Sequence, residues 1–214
     1  MTFNREKDLV SAGLHALGCA LAIVGTVALL LKGAALSPWH VVSCAVFGAT
    51  MIGLYAASTA YHLFYVSERV HNVLRRIDHI LIFLLIAGTY TPLCLLTLRG
   101  AWGWVLFGIV WGCALAGLFL KIFWMDAPRW LYSVFYIAMV WAALIALWPL
   151  THRLPPAALG WLFGGGAVYT VGGVFYALKF PPIRSRYFGF HELFHVFILL
   201  GSACFYVLIY VFVV

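Results

Sequence analysis

The sequence has little charge, and most of that charge is positive. Only 9% of its 214 residues are charged, with 13 Lys and Arg against 6 Asp and Glu, while 65% are hydrophobic. A soluble domain of this size cannot bury so much apolar surface, which excludes an ordinary soluble protein. The net charge of +7 does not indicate nucleic acid, because the basic residues flank the apolar runs. We expect membrane lipids as partners and no nucleic acid; the oligomeric state stays open.

Three further absences narrow the class of membrane protein. The five cysteines contain no Cys-x-x-Cys and all lie in apolar runs, so neither a disulfide framework nor a thiolate zinc site is expected. The last apolar run has no lysine, which disfavours a retinal Schiff base. No apolar run carries the hydrophilic stripe that an aqueous channel needs.

What the sequence does contain is apolar runs long enough to cross about 30 Å of hydrocarbon. There are seven of them, at about residues 10–31, 40–63, 78–98, 102–120, 130–150, 157–178 and 190–214. Their short linkers predict an all-α integral membrane protein, with one seven-helix transmembrane domain over residues 1–214. The first run is too long for a cleaved signal peptide, so we expect a retained span.

The basic residues predict the orientation of this bundle. Seven spans place the termini on opposite sides of the membrane. The side of the N-terminus holds ten Lys and Arg: Arg5, Lys7, Arg69, Arg75, Arg76, Lys121, Arg129, Lys179, Arg184 and Arg186. The other side holds only Lys32, Arg99 and Arg153. This asymmetry predicts a cytoplasmic N-terminus and an outside C-terminus, in a multi-pass protein of the cell's inner (plasma) membrane.

In that topology, polar residues of three spans meet at one depth near the cytoplasmic face. They are Ser58 and His62 at the end of the second run, Asp78 and His79 in the first turn of the third, and His191 and His195 at the start of the seventh. His191 and His195 are four residues apart, so they lie one turn apart on one helix face. Ionisable residues inside a membrane are costly and mark functional sites.

The chemistry of this constellation fits Zn²⁺. His62, His191 and His195 offer three neutral nitrogen ligands, and a tetrahedral ion would keep a fourth position for water. Asp78 could be a ligand, or could hydrogen-bond that water and accept its proton. Ser58 lies one turn before His62 and could orient a ligand, the water or a substrate oxygen.

Each residue also has a structural interpretation. A histidine at a helix end can hydrogen-bond a backbone carbonyl, and Asp78 could cap the third helix. His79 points about 100° away from Asp78. Glu192 is expected to point away from the histidine pair, toward headgroups or another helix. His15 is expected to pack or to support the ligands.

The motifs resemble those of the hemolysin III family, the bacterial branch of the progestin and adipoQ receptor (PAQR) superfamily. They are Ser58-Thr59-Ala60-Tyr61-His62, Asp78-His79 followed by Ala87-Gly88-Thr89-Tyr90-Thr91-Pro92, and His191-Glu192-Leu193-Phe194-His195. The resemblance implies zinc held by His62, His191 and His195, with Asp78 contacting the water and Ser58 beside it. The superfamily includes alkaline ceramidases, which suggests hydrolysis of a lipid amide and a part in membrane-lipid homeostasis.

Several functions remain open from the sequence. The first is a zinc-dependent hydrolase of amide or ester bonds in membrane lipids, with Asp78 and Ser58 as catalytic residues. The second is a cytolytic, pore-forming protein, the activity from which the family takes its name. The third is a non-catalytic lipid sensor with structural zinc. A bis-histidine haem protein is a fourth, since His62, His79, His191 and His195 could be axial ligands.

Overall fold

The computed structural model describes residues 5–214, and within that range the chain forms seven helices long and apolar enough to cross a membrane. This confirms the predicted all-α, seven-span architecture. The helices are α1 (Arg5–Ala34), α2 (Pro38–Leu63), α3 (Glu68–Thr97), α4 (Ala101–Phe123), α5 (Arg129–Arg153), α6 (Pro156–Leu178) and α7 (Phe190–Val213). The ends of α1, α3, α5 and α7 that come first in the chain lie on one side of the bundle, which we call the N-terminal side.

Local chemistry sets several helix boundaries. Pro38 and Pro156 open α2 and α6, where a missing backbone N–H has no cost. The Ser67 hydroxyl caps α3 by accepting a hydrogen bond from the Val70 N–H at 3.3 Å. α6 ends at Leu178, and the next residue, Lys179, takes a left-handed conformation with φ of 54°.

The beginning of α3 differs from the expectation. The apolar run predicts a span from residue 78, whereas α3 begins at Glu68. Asp78 and His79 therefore lie nearly three turns inside the helix and not in its first turn, and Asp78 does not cap it. The physical reason is that hydropathy marks the apolar part of a helix, while the preceding polar turns need only a cap and an interface to remain helical.

The packing places α3 at the centre of the bundle. Within the most apolar stretch of each helix, 67% of α3 is buried, against 28% of α1 and of α4. The Tyr90 hydroxyl ties α3 to α5, since it donates to the Val140 carbonyl at 2.6 Å and accepts from the Ala143 N–H at 2.9 Å. The Val140 carbonyl directly precedes a 3-10 segment, Trp141–Ala146, and the Ala143 N–H lies within it; in this segment the regular α-helical hydrogen bonding is interrupted.

α1 lies at the edge of the bundle, packed against α2 and α7. The core between these three helices is apolar and centres on Phe47 and Leu54, both fully buried. Toward the N-terminal side, the contacts between the same three helices are polar instead of apolar. That change in chemistry defines the candidate site.

Candidate metal centre

Three histidines from two distant helices converge at the N-terminal side. His62 lies in the last turn of α2, and His191 and His195 lie in the first two turns of α7. The His191 Nε2 is 3.3 Å from the His62 Nε2 and 3.1 Å from the His195 Nε2. One nitrogen of each ring lies within 4.8 Å of the others, so the three could hold a metal ion. His62 and His195 are 4% and 3% exposed.

The spacing of these nitrogens fits a tetrahedral ion. Zn–N bonds of roughly 2.0–2.1 Å at tetrahedral angles separate two ligand nitrogens by about 3.3 Å. The observed separations of 3.1 and 3.3 Å match that value. The residues present therefore suit a metal with a preference for imidazole.

Asp8 fixes the orientation of one of these rings. Its Oδ1 lies 2.8 Å from the His62 Nδ1. Because a carboxylate can only accept, Nδ1 carries the hydrogen and the Nε2 lone pair faces the other two histidines. This contact was not predicted from the sequence. The available signal was the spacing of Asp8, Ser11 and His15, which places them on one face of α1.

The structure places Asp78 and Ser58 beside the triad and not within it. Among the described residues, the candidate metal group contains the three histidines without a carboxylate. Asp78 and Ser58 line the same cavity as His191 and His195. Asp78 is 7% exposed, and the Ser58 hydroxyl is fully buried beside it. This arrangement favours the interpretation of Asp78 as a neighbour of the metal position and not a ligand.

His79 and His15 have different surroundings. The His79 Nδ1 donates to the Arg75 carbonyl at 2.7 Å, which is the structural role of a histidine within a helix. The His15 ring stacks on His195, with ring centroids 4.0 Å apart. The ring is 1% exposed and lies beside the His195 backbone. His15 therefore supports a ligand ring and also lines the cavity.

Glu192 joins α7 to α1 beside the metal position. It is 3% exposed and accepts a hydrogen bond from the Ser11 hydroxyl at 3.3 Å. Of the two expectations for this residue, headgroups or another helix, the structure shows the second. An exposed ion pair between Glu6 and Arg186 lies on the same side and also connects α1 to the segment before α7. Together these contacts hold α1 against the histidines.

The cavity at the centre of the site is small and partly polar. Its volume is about 20 Å³, enough for about one water molecule. An apolar cavity of about 40 Å³ continues into the bundle and shares five wall residues with it: Leu54, Ile82, Tyr136, Phe194 and Ile198. A partly polar cavity thus adjoins an apolar interior.

Nearly the whole chain matches a known protein family. The profile of the family described as "Haemolysin-III related" matches residues 3–206. The "Hemolysin-3 homolog" of Bacillus subtilis (strain 168) is 38% identical over 202 residues, covering 94% of this chain and 92% of that protein. "Hemolysin-3" of Bacillus cereus is 35% identical over 204 residues, covering 95% and 90%. The matched region includes every site residue from Asp8 to His195.

Proposed function

This chain belongs to the hemolysin III family of multi-pass membrane proteins, and from that premise we propose that it is a zinc-dependent hydrolase of an amide or ester bond in a membrane lipid. One observation carries the proposal. Three imidazole nitrogens with the spacing of metal ligands adjoin a cavity that also holds a buried carboxyl and a buried hydroxyl. Its biological role would be membrane-lipid homeostasis, in the inner (plasma) membrane with the N-terminus cytoplasmic.

Zinc suits this ligand set better than the other common divalent ions. Three imidazoles without carboxylate favour Zn²⁺ over Mg²⁺ and Ca²⁺, which prefer oxygen ligands. When bound, zinc would supply a Lewis acid for the carbonyl group of the scissile bond. A set of three protein ligands is also typical of catalytic zinc sites, because it leaves one position open.

The remaining residues have separate tasks in this proposal. His62, His191 and His195 hold the ion, and Asp8 keeps His62 in the required tautomer. The Asp78 carboxylate accepts the proton of the attacking water. The Ser58 hydroxyl donates a hydrogen bond to the substrate's carbonyl oxygen. The surrounding burial excludes bulk water and so strengthens each of these polar interactions.

A lipid is the substrate class that the surroundings favour. The site lies within membrane-spanning helices, and its cavity continues into a space lined by apolar side chains such as Leu85, Ile86 and Phe197. The apolar lining favours the hydrocarbon of a lipid over a water-soluble substrate, which would lose its hydration there, and the helices must separate to admit a whole acyl chain. The scissile bond would then lie at the junction of the apolar and polar cavities.

The test is hydrolysis of lipid amides and esters in detergent micelles or liposomes, with metal content measured on the same preparations. The wild type should hydrolyse at least one class of lipid and contain zinc. His191→Ala and His195→Ala should each lose both metal and activity, whereas Asp78→Ala should keep most of its metal and lose activity. If Asp78→Ala were as poor in metal as the histidine variants, Asp78 would be a ligand and the proposed division of roles would be wrong.

A second candidate is the cytolytic activity named in the relatives "Hemolysin-3" and "Hemolysin-3 homolog". In it, the zinc would be structural, as it would in a lipid sensor without turnover. Purified protein reconstituted into dye-loaded liposomes separates these functions. Leakage that persists in Asp78→Ala would favour cytolysis, and zinc binding with neither leakage nor hydrolysis would favour a sensor.

A further inference from the structure

A lateral groove runs between α1 and α7 on the outer surface of the bundle. Its volume is about 540 Å³, within the range of roughly 300–1,000 Å³ of ligand sites. The rim is formed by exposed aliphatic side chains, among them Leu17, Leu21 and Leu200. The back wall is formed by Met51 and Tyr55 of α2. The groove is separate from the small cavity at the three histidines, and the two have no wall residue in common.

Hydrogen bonds join α1 to α7 at both ends of the groove. On the N-terminal side, the Ser11 hydroxyl donates to Glu192. Toward the opposite side, the Tyr206 hydroxyl donates to the Gly25 carbonyl at 3.1 Å. Further along, the Lys32 Nζ donates to the Tyr210 carbonyl at 2.6 Å. The two helices are thus held together above and below, while the space between them stays open over residues 17–25, about 12 Å of helix.

The back wall of the groove is apolar. Tyr55 is 2% exposed, and its hydroxyl is buried beside Ser202 and does not face the open space of the groove. Ser202 in turn lies 2.8 Å from the Tyr169 hydroxyl. The groove therefore presents an almost wholly apolar surface, which suits hydrocarbon.

We propose that the lateral groove is a binding site for one acyl chain of a membrane lipid, retained when the protein leaves the bilayer. The groove faces the hydrocarbon of the membrane, where no water is available to fill it. An empty space of this size would forfeit the dispersion contacts of its walls, and an acyl chain restores them. This site does not depend on hydrolysis at the three histidines.

The groove also touches the metal centre through aromatic rings. The Tyr55 ring contacts His15 edge-on, with centroids 5.1 Å apart, and His15 stacks on His195. A lipid in the groove would therefore lie against the ring that supports His195.

The test is the amount of lipid that remains with the protein after purification in a mild detergent, measured by extraction and mass spectrometry. Wild type should retain about one lipid per chain. Ala203→Trp places a large ring in the groove and should reduce the retained lipid at least tenfold. Its matched control, Ala116→Trp, places the same ring on the exposed face of α4 and should retain lipid as wild type does.

Two further measurements keep this test decisive. Zinc content and thermal stability of Ala203→Trp should equal those of Ala116→Trp, which shows that the fold survives. Asp78→Ala should retain lipid as wild type does, because binding is separate from turnover. A wild type without retained lipid, or an Ala203→Trp variant that retains as much as wild type, would overturn the proposal.

Discussion

The two ends of the bundle use similar polar residues in different ways. At the end opposite the N-terminal side, long side chains satisfy the last carbonyl groups of helices. The Arg153 Nη1 donates to the Thr97 carbonyl at 2.9 Å, and Lys32 donates to the carbonyl of Tyr210. At the N-terminal side, by contrast, imidazoles face one another inside the protein. The first arrangement completes the backbone's hydrogen bonding. The second leaves imidazole nitrogens available to bind a ligand such as a metal ion.

The difference shows how a site can be told from a structural polar contact. His152 at the opposite end is exposed, and its Nδ1 lies 2.7 Å from the Trp148 carbonyl. His191, by contrast, faces two other imidazoles, and its Nδ1 is buried without a hydrogen-bond partner. Native proteins rarely leave buried polar atoms unpaired, so such an atom among facing imidazoles indicates a missing ligand.

The largest effect is expected from zinc-induced stabilisation. Zinc at about 100 times its dissociation constant should stabilise metal-free wild type by about 2.7 kcal/mol, seen as a higher melting temperature. His195→Ala should show no zinc-induced shift. His152→Ala, the matched change at the opposite end, should respond as wild type does. Equal zinc-induced shifts of the melting temperature in His195→Ala and His152→Ala would contradict the distinction between the two ends of the bundle.

A smaller effect is expected from Asp8. Loss of a carboxylate that orients a metal-binding histidine typically weakens metal affinity by roughly 10–100-fold. Asp8→Ala should show a loss in that range in a zinc competition titration, while Asp8→Asn should recover part of it because its amide oxygen can still accept from His62. Wild-type affinity in Asp8→Ala would mean that the contact with Asp8 is only structural.

Ser58 should affect turnover more than metal binding. Ser58→Ala removes one neutral hydrogen bond, worth roughly 0.5–1.5 kcal/mol, so kcat should fall by up to about tenfold. Zinc content and KM should change little, because the hydroxyl lies beside the triad and donates to the reacting carbonyl. A variant that lost zinc but turned over normally when resupplied would show that Ser58 instead supports a ligand.

The smallest effect is expected at the opposite end. Arg153→Gln removes an exposed contact with two carbonyl groups, and its free energy of unfolding should change by about 0.5 kcal/mol or less. Zinc content and activity should equal those of wild type. A loss of zinc in this variant would mean that the two ends are coupled.

Much of the fold was predictable because the membrane limits what a chain can do. Apolar runs of about twenty residues can only be spanning helices, so the seven spans followed from hydropathy alone. Helix ends were less predictable, as α3 shows: its first ten residues, from Glu68, are too polar to mark a span. Their helical form depends on the Ser67 cap and on contacts outside the apolar run.

The candidate site, like the fold, was predictable only in part. The proximity of His62, His191 and His195 was predicted from the sequence. Helix geometry places His191 and His195 on one face, and the topology places His62 at the same depth. Asp8 was not predicted, since its role depends on the rotation of α1 against α2. Lys121 shows the same limit. Sequence assigned it to the flanking charges, yet it is fully buried with its Nζ 3.0 Å from the centroid of the Tyr132 ring.

The most direct test of the central claim is the metal content of detergent-purified protein, measured by elemental analysis for wild type beside His191→Ala. The account predicts about one zinc per chain in wild type and none in the variant. No zinc in either protein, or equal zinc in both, would contradict the assignment of the three histidines as a metal centre.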